Sequence, residues 1–176
     1  METILLNAVL IAVAAVPLVV LFVVRKNTVV VSIVAMIELV LGIALQVRGS
    51  GGTFTSICDA FSFAGILMFA FPLLFLSGRA DDFLLALKVA FLKQETDAKD
   101  LKKARIAVCL MERLVVFGAI VTSMVGLLSI LNYLEDLTAI RPNLAIALLP
   151  VLYAAILSAL LKSLSAIVEA KIAERE

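Results

Sequence analysis

Five apolar stretches of about 20 residues each divide this 176-residue chain. A helix needs roughly 20 apolar residues to cross the hydrocarbon core of a bilayer. Inside lipid, only a helix or a closed barrel satisfies its own backbone hydrogen bonds. The pattern therefore predicts an all-α, polytopic membrane protein with five transmembrane helices. The predicted spans are residues 4–24, 28–47, 54–76, 114–134 and 143–161.

The composition agrees with a membrane protein and argues against several functions. Apolar residues make up 64% of the chain, whereas a soluble domain is about half apolar. The net charge of +1 offers no basic face for nucleic acid, and the lack of histidine excludes imidazole relays and imidazole metal ligands. The two cysteines have no metal-binding spacing, and no cluster of nucleophile, base and metal ligands appears. We expect no catalytic residues, no cofactor and no metal site.

Lysine and arginine near the span ends predict the orientation, because cytoplasmic loops are rich in these residues. The loop 77–113 holds eight of them, whereas the loops on the opposite side hold only Arg48 and Arg141. This distribution places the N-terminus outside and the C-terminus in the cytoplasm. Residues 1–27 are interpreted as a retained span, since they carry Glu2 at the start and exceed the length of a signal core.

The chain is predicted to have five parts along its length. In the loop, "SGRADDFLLALKVAFLK" has helix-start residues and an apolar surface, so it should lie along the membrane face or pack against a neighbour. The charged remainder should lead straight into the fourth span. The parts are an extra span (1–27), a hairpin (28–76), a cytoplasmic helical segment (77–113), a core hairpin (114–165) and a helical tail (166–176).

Small and hydroxyl-bearing residues form a stripe on the fourth span. Gly118, Thr122, Gly126 and Ser129 recur at intervals of four, four and three, which places them on one helical face, with Ser123 beside them. One interpretation is helix packing alone, because small residues let helices approach closely. The other is a wall along a narrow polar path, where hydroxyls contact water or an ion. The sequence leaves both open.

The fifth span has a similar face that contains a proline. Pro150 lacks a backbone donor and frees the carbonyl of Ile146, which lipid cannot satisfy. The proline either bends the helix or aims this carbonyl at a partner helix. The residues of this face are Ala147, Pro150, Ala154 and Ser158, with Tyr153 at its edge.

Two acidic residues lie inside or near predicted spans. Glu38 is at the middle of the second span, where a charge costs about 3 kcal/mol or more. We expect it to be protonated, paired or facing a cavity. Asp59 is near the outer end of the third span, where water can reach it. The sequence assigns neither residue a role.

The segment "FGAIVTSMVGLLSILNYLEDLTAIRPNLAIALLPVLYAAILSAL", residues 117–160, combines a glycine- and hydroxyl-containing span, an acidic loop and an L-Y run. It resembles the MotA/TolQ/ExbB family of ion-driven motor subunits, and MotA most closely. Residues 28–76 agree more loosely with the first family hairpin. The matching positions are Gly126, Leu134, Asp136, Thr138, Ala139, Ile140, Pro142, Ala145, Ala147, Leu148, Leu149, Leu152 and Tyr153.

Several positions depart from the family pattern. Arg141 replaces the loop glycine, Pro150 and Val151 replace paired threonines, and Ala154 replaces the glycine after tyrosine. Two family prolines at span ends are absent, the cytoplasmic loop is shorter than in flagellar stators, and the span 4–24 precedes the family core.

The resemblance implies a homo-oligomeric ring, typically a pentamer, in the bacterial inner membrane. The ring would surround a dimer of a MotB-, ExbD- or TolR-like single-span subunit, whose aspartate binds the ion. Ser123 stands at the family threonine of the fourth span. Fewer hydroxyls on the fifth span favour the proton over sodium as coupling ion. The implied function is a rotary motor subunit that converts ion-motive force into torque, and contact with a flagellar rotor stays open.

Two alternatives remain. The short loop favours an ExbB- or TolQ-like energiser of envelope transport, whereas the loop between the last spans favours MotA. From another class, the chain could be a membrane scaffold or transporter subunit without motor function. The motor interpretation requires the faces of the last two spans to wall a central hole. If those faces were sealed against one another within a solitary copy, with no guest inside, the motor interpretation would have to be abandoned.

Overall fold

The computed structural model describes residues 28–49, 57–92, 96–131 and 137–175, and these residues are almost entirely helical, with no strand among them. The all-α prediction is confirmed for this part of the chain. The predicted span 4–24 lies outside the described residues. The five helices are α1 (Thr28–Gly49), α2 (Ala60–Leu76), α3 (Ala80–Leu92), α4 (Ala98–Ile130) and α5 (Leu137–Ala173).

Helix α1 belongs to the first of two compact units, Met1–Cys58, and the other four helices belong to the second, Asp59–Glu176. Helix α1 coincides with the second predicted span and ends with Arg48 in its last turn, where a cation complements the helix dipole. Large apolar side chains are exposed on α1, namely those of Ile37, Val40 and Leu41.

Helix α2 begins later than the third predicted span, which started at residue 54. Asp59 caps it, and its carboxylate accepts a hydrogen bond from the Ser62 amide at 2.9 Å and another from the Ser62 hydroxyl. The predicted start at residue 54 is corrected to Ala60, because Asp59, as the N-cap residue, has non-helical backbone angles. Helix α2 ends at Leu76 with Ser77 as its C-cap, and Gly78 then takes a φ of 66°, a left-handed conformation that glycine adopts without strain.

Helix α3 lies at 110° to α2 and packs against its neighbours α4 and α5. Phe83, Ala86 and Val89 are its buried residues, at intervals of three. Near its C-terminal end, the Val89 carbonyl accepts a hydrogen bond from the Lys171 ammonium group on α5. Of the two placements expected for this segment, the contacts support packing against neighbouring helices.

Helix α4 runs without a break from the charged segment into the apolar fourth span, as the sequence predicts. Leu101, Ala104, Val108, Met111 and Val115 are buried at intervals of three and four, which gives the helix one continuous inner face. Helix α5 likewise extends past the fifth span into the tail. Its last turns also face the core, because Leu164, Val168 and Ile172 are buried there.

Among the described residues, two helical segments are long and apolar enough to cross a membrane, namely α4 and residues 143–173 of α5. The number becomes three if the bent pair of α2 and α3 forms one span. Large apolar side chains such as Phe117, Met124 and Leu148 are exposed on these helices. An apolar surface of this extent suits lipid or another protein chain, and it supports the prediction of a membrane protein.

Candidate functional site

The residues predicted to form a site lie mostly on α4 and α5, which pack as an antiparallel pair. At one end, a Cβ on Gly126 would approach the Ala147 Cβ to 2.9 Å, so the two backbones are close there. At the other end, the Arg105 Nε donates to the Glu169 carboxylate at 2.6 Å. From the first contact to the second, the residue numbers fall along α4 and rise along α5, as they must in an antiparallel pair. The two contacts together fix the register of the helices.

Gly118 and Thr122 of the small-residue stripe contact α2 of the same chain. A Cβ on Gly118 would come within 2.8 Å of the Ile66 carbonyl oxygen, and a Cβ on Gly65 within 2.9 Å of the Thr122 methyl carbon. These positions are therefore where α2 and α4 cross closely. With Gly126 against α5, the contacts of the stripe support its interpretation as helix packing.

The hydroxyl groups of the stripe have different partners. Thr122 Oγ1 donates to the Gly118 carbonyl at 2.8 Å, and Ser129 Oγ donates to the Val125 carbonyl at 2.9 Å. Both bonds stay within α4, and Ser129 is exposed. Ser123 differs, since only 7% of its surface is exposed and its hydroxyl has no hydrogen-bond partner among the described residues. A buried hydroxyl without a partner is uncommon in proteins.

Pro150 is fully buried, and Ala147 and Ala154 on the same face of α5 are buried as well. Counting three residues in opposite directions from the Gly126–Ala147 contact places Ser123 and Pro150 at the same level of the antiparallel pair. Helix α5 continues through the proline without a break. The proline face therefore lies inside the core of one chain.

Tyr153 ties α5 to the start of α2. Its hydroxyl accepts a hydrogen bond from the Asp59 backbone amide at 2.7 Å. Its ring meets Phe63 edge-on, with ring centroids 5.9 Å apart at an interplanar angle of 85°. Asp59, whose role the sequence leaves open, thus serves as the N-cap of α2 and as a link to α5.

Ser158 lies in a polar contact that the sequence analysis missed. Its hydroxyl donates to the Glu112 carboxylate of α4 at 2.7 Å, and the Lys162 ammonium group is 3.5 Å from the same carboxylate. The Glu112 side chain is only 23% exposed. The signal lay in helical periodicity, because Glu112 follows the buried Val108 by four residues and therefore flanks the inner face of α4.

The structure brings nine of the ten predicted path residues to contacts or buried positions within the second unit, and leaves Ser129 exposed. Their role in an ion path stays a prediction. Glu38 is half-buried on α1, in the other unit. Among the described residues, no group of three or more cysteine, aspartate or glutamate side chains could hold a metal ion.

Comparison with known proteins found no match to this chain among family models, curated proteins or solved structures. The part of the chain that the structure describes is helical, and it contains two helices able to span a membrane, or three if the bent pair of α2 and α3 forms one span.

Proposed function

We propose that this chain is a ring subunit of a proton-driven rotary motor that surrounds the membrane helices of a MotB-, ExbD- or TolR-like partner. The ring would contain five copies and lie in the bacterial inner membrane. Support comes from the segment 117–160, which resembles the MotA/TolQ/ExbB family and falls on the antiparallel pair of α4 and α5. The proposed ring is built around this pair.

The observation that carries the proposal is the apolar surface that α4 and α5 leave uncovered. A ring subunit has to contact two neighbouring copies and a central guest, and each contact needs a free face. Exposed large apolar residues on this surface include Val125, Leu128, Leu144, Leu148, Val151 and Leu152. A patch of this size suits protein contacts within a membrane as well as lipid.

Within one chain, the faces that carry Ser123 and Pro150 are sealed against each other, which counts against a motor whose central hole is walled by these two faces. These residues pack within a single chain, so they would support the wall from behind. The guest helices would instead contact the uncovered side, which includes Ser129 and Val151. Val151 stands at one of the two threonine positions of the family.

In this proposal the partner aspartate takes up and releases the proton, and the ring keeps that carboxylate out of water between steps. A change in its charge would favour contact with successive subunits and so rotate the ring around the partner. One proton that crosses 100 mV releases about 2.3 kcal/mol, which is several times the thermal energy.

The proposal is tested by flux through a reconstituted complex. The full chain is co-expressed with a candidate single-span protein that carries a membrane aspartate, purified through a tag on one partner and placed in vesicles under a potassium diffusion potential. We expect co-purification and proton uptake that is abolished when the partner's membrane aspartate is replaced by asparagine. Uptake that is equally fast without the partner, or absent from the intact complex, would contradict the proposal.

A second candidate is a membrane scaffold or transporter subunit without motor function. It is favoured by the contacts of Gly118, Thr122 and Gly126, which occupy the small-residue stripe within a single chain. Failure to recover any single-span partner would favour this candidate. An ExbB- or TolQ-like energiser would share the ring architecture, and the identity of the neighbouring genes separates it from a flagellar motor.

A further inference from the structure

A basic cleft of about 520 Å³ lies between the turn after α2 and the first half of α4. Four of its lining residues are cations, namely Arg79, Lys102, Arg105 and Arg113, and no carboxylate among the described residues lines it. Ile106 and Leu110 supply an apolar part of the wall. The cleft is therefore both cationic and partly apolar.

The arginines of the cleft keep donors for a ligand. Arg79 contacts Asp82 through one nitrogen at 3.3 Å, and Arg105 uses Nε for its bond to Glu169. A guanidinium group carries five N–H donors, so both keep further donors. Arg113 is exposed and forms no ion pair with a described residue. Several guanidinium groups around one cleft suit phosphate, which accepts hydrogen bonds on several oxygens.

The apolar part of the cleft continues along α4 into the membrane-spanning part. From Ile106 and Leu110, the same helical face passes Arg113 and reaches Phe117, Ile120 and Met124 at intervals of three and four. These last three residues are exposed by 52%, 51% and 58%. At 1.5 Å per residue, Arg113 and Met124 are about 16 Å apart. One leaflet of the hydrocarbon core, half of about 30 Å, has a similar depth.

We propose that this cleft binds the phosphate of an anionic phospholipid, with one acyl chain along Phe117, Ile120 and Met124. The cationic end lies next to the apolar stripe, at the depth where headgroup and acyl chain meet. A free phosphate shares the headgroup chemistry but would make no contact with Phe117, Ile120 and Met124. The inference is independent of the motor proposal, because it requires only that α4 crosses a membrane.

The test counts lipids bound to the full chain purified in detergent, by native mass spectrometry, with phosphatidylglycerol as probe. We expect one tightly bound phosphatidylglycerol per chain. Arg79→Gln with Arg113→Gln should weaken it at least about tenfold, because charge-assisted hydrogen bonds are lost. Lys88→Gln with Lys99→Gln removes the same charge from exposed positions outside the cleft and should leave binding unchanged.

Further arms identify the source of the phosphate. Phosphatidylcholine, inorganic phosphate and a phosphatidylglycerol with six-carbon chains should each bind more weakly than the long-chain lipid. Equal competition by inorganic phosphate, or equal losses in the two double variants, would overturn the proposal. It would also be overturned if the cleft variant kept the lipid and lost a co-purifying acidic protein. Arg79→Lys with Arg113→Lys keeps the charge and should retain most of the binding, which controls for misfolding.

Discussion

Pro150 has a place both in the motor proposal and in the packed core of a single chain. A proline within a helix removes one hydrogen bond and crowds the preceding turn. Here it is fully buried in the core of the second unit, at the level of the unpartnered hydroxyl of Ser123. Any effect of this residue on ion flux would therefore reach the guest helices through the helix that carries it.

The first prediction concerns Pro150→Ala. Alanine restores the backbone donor and loses part of a buried ring, so these opposing terms should keep the change in unfolding free energy within about 1 kcal/mol. We expect assembly to persist while proton uptake by reconstituted vesicles falls. Pro72→Ala replaces the exposed proline of α2; it is the matched control and should leave proton uptake unchanged. A proton flux in Pro150→Ala equal to that of the wild type would contradict a functional role for this proline.

The second prediction concerns the hydrogen bond from Ser158 to Glu112. Removing the hydroxyl leaves the largely buried carboxylate with only the Lys162 ammonium group, 3.5 Å away, so Ser158→Ala should cost about 1 to 2 kcal/mol. A double-mutant cycle with Glu112→Ala, which removes the acceptor, should give a coupling energy of about 1 kcal/mol when measured by chemical unfolding in detergent. Ser163→Ala is the control, since the exposed Ser163 hydroxyl bonds only within its own helix. A coupling energy near zero would contradict the contact.

At the scale of elements, the close crossing of α2 and α4 holds the second unit together on one side. Gly118 packs against the backbone of α2, which cannot move aside as a flexible side chain can. Helices approach this closely only where both surfaces are small. The stripe read from the sequence is thus part of the structural core, whatever further role it has.

The third prediction is that Gly118→Ala destabilises this crossing. The added Cβ would lie 2.8 Å from the Ile66 carbonyl oxygen, so one helix has to shift, at a cost of about 1 to 3 kcal/mol. This cost should exceed the gain of about 1 kcal/mol in helix propensity. In α1, Gly42→Ala meets no described atom within 4 Å and should be neutral or stabilising. Thermal unfolding in detergent measures both, and a Gly118→Ala variant more stable than wild type would contradict this packing.

The long helices could be predicted from the sequence because their periodicity and hydropathy act locally. The continuity of α4 and the extension of α5 into the tail follow from such patterns. The start of α2 could not be placed, because Asp59 caps the helix inside an apolar run. The sequence also gave no neighbour for the stripe, since a helical face has the same period whichever helix covers it. Glu112 was missed because its partner Ser158 is distant along the chain.

At the scale of the whole molecule, the second unit forms its own core from α2, α3, α4 and α5. That core closes one side of the α4–α5 pair and leaves an apolar surface on the other. In lipid, such a surface has no hydrophobic drive to associate, so close packing and hydrogen bonds have to select its partners. Assembly therefore decides between the ring and the solitary scaffold.

The most direct test is a cryo-EM reconstruction of the complex purified with its single-span partner. We expect a closed ring of five copies with a helix pair at its centre, in contact with the surface that carries Ser129 and Val151. Solitary copies of this chain, or an assembly whose centre holds no helix, would contradict it.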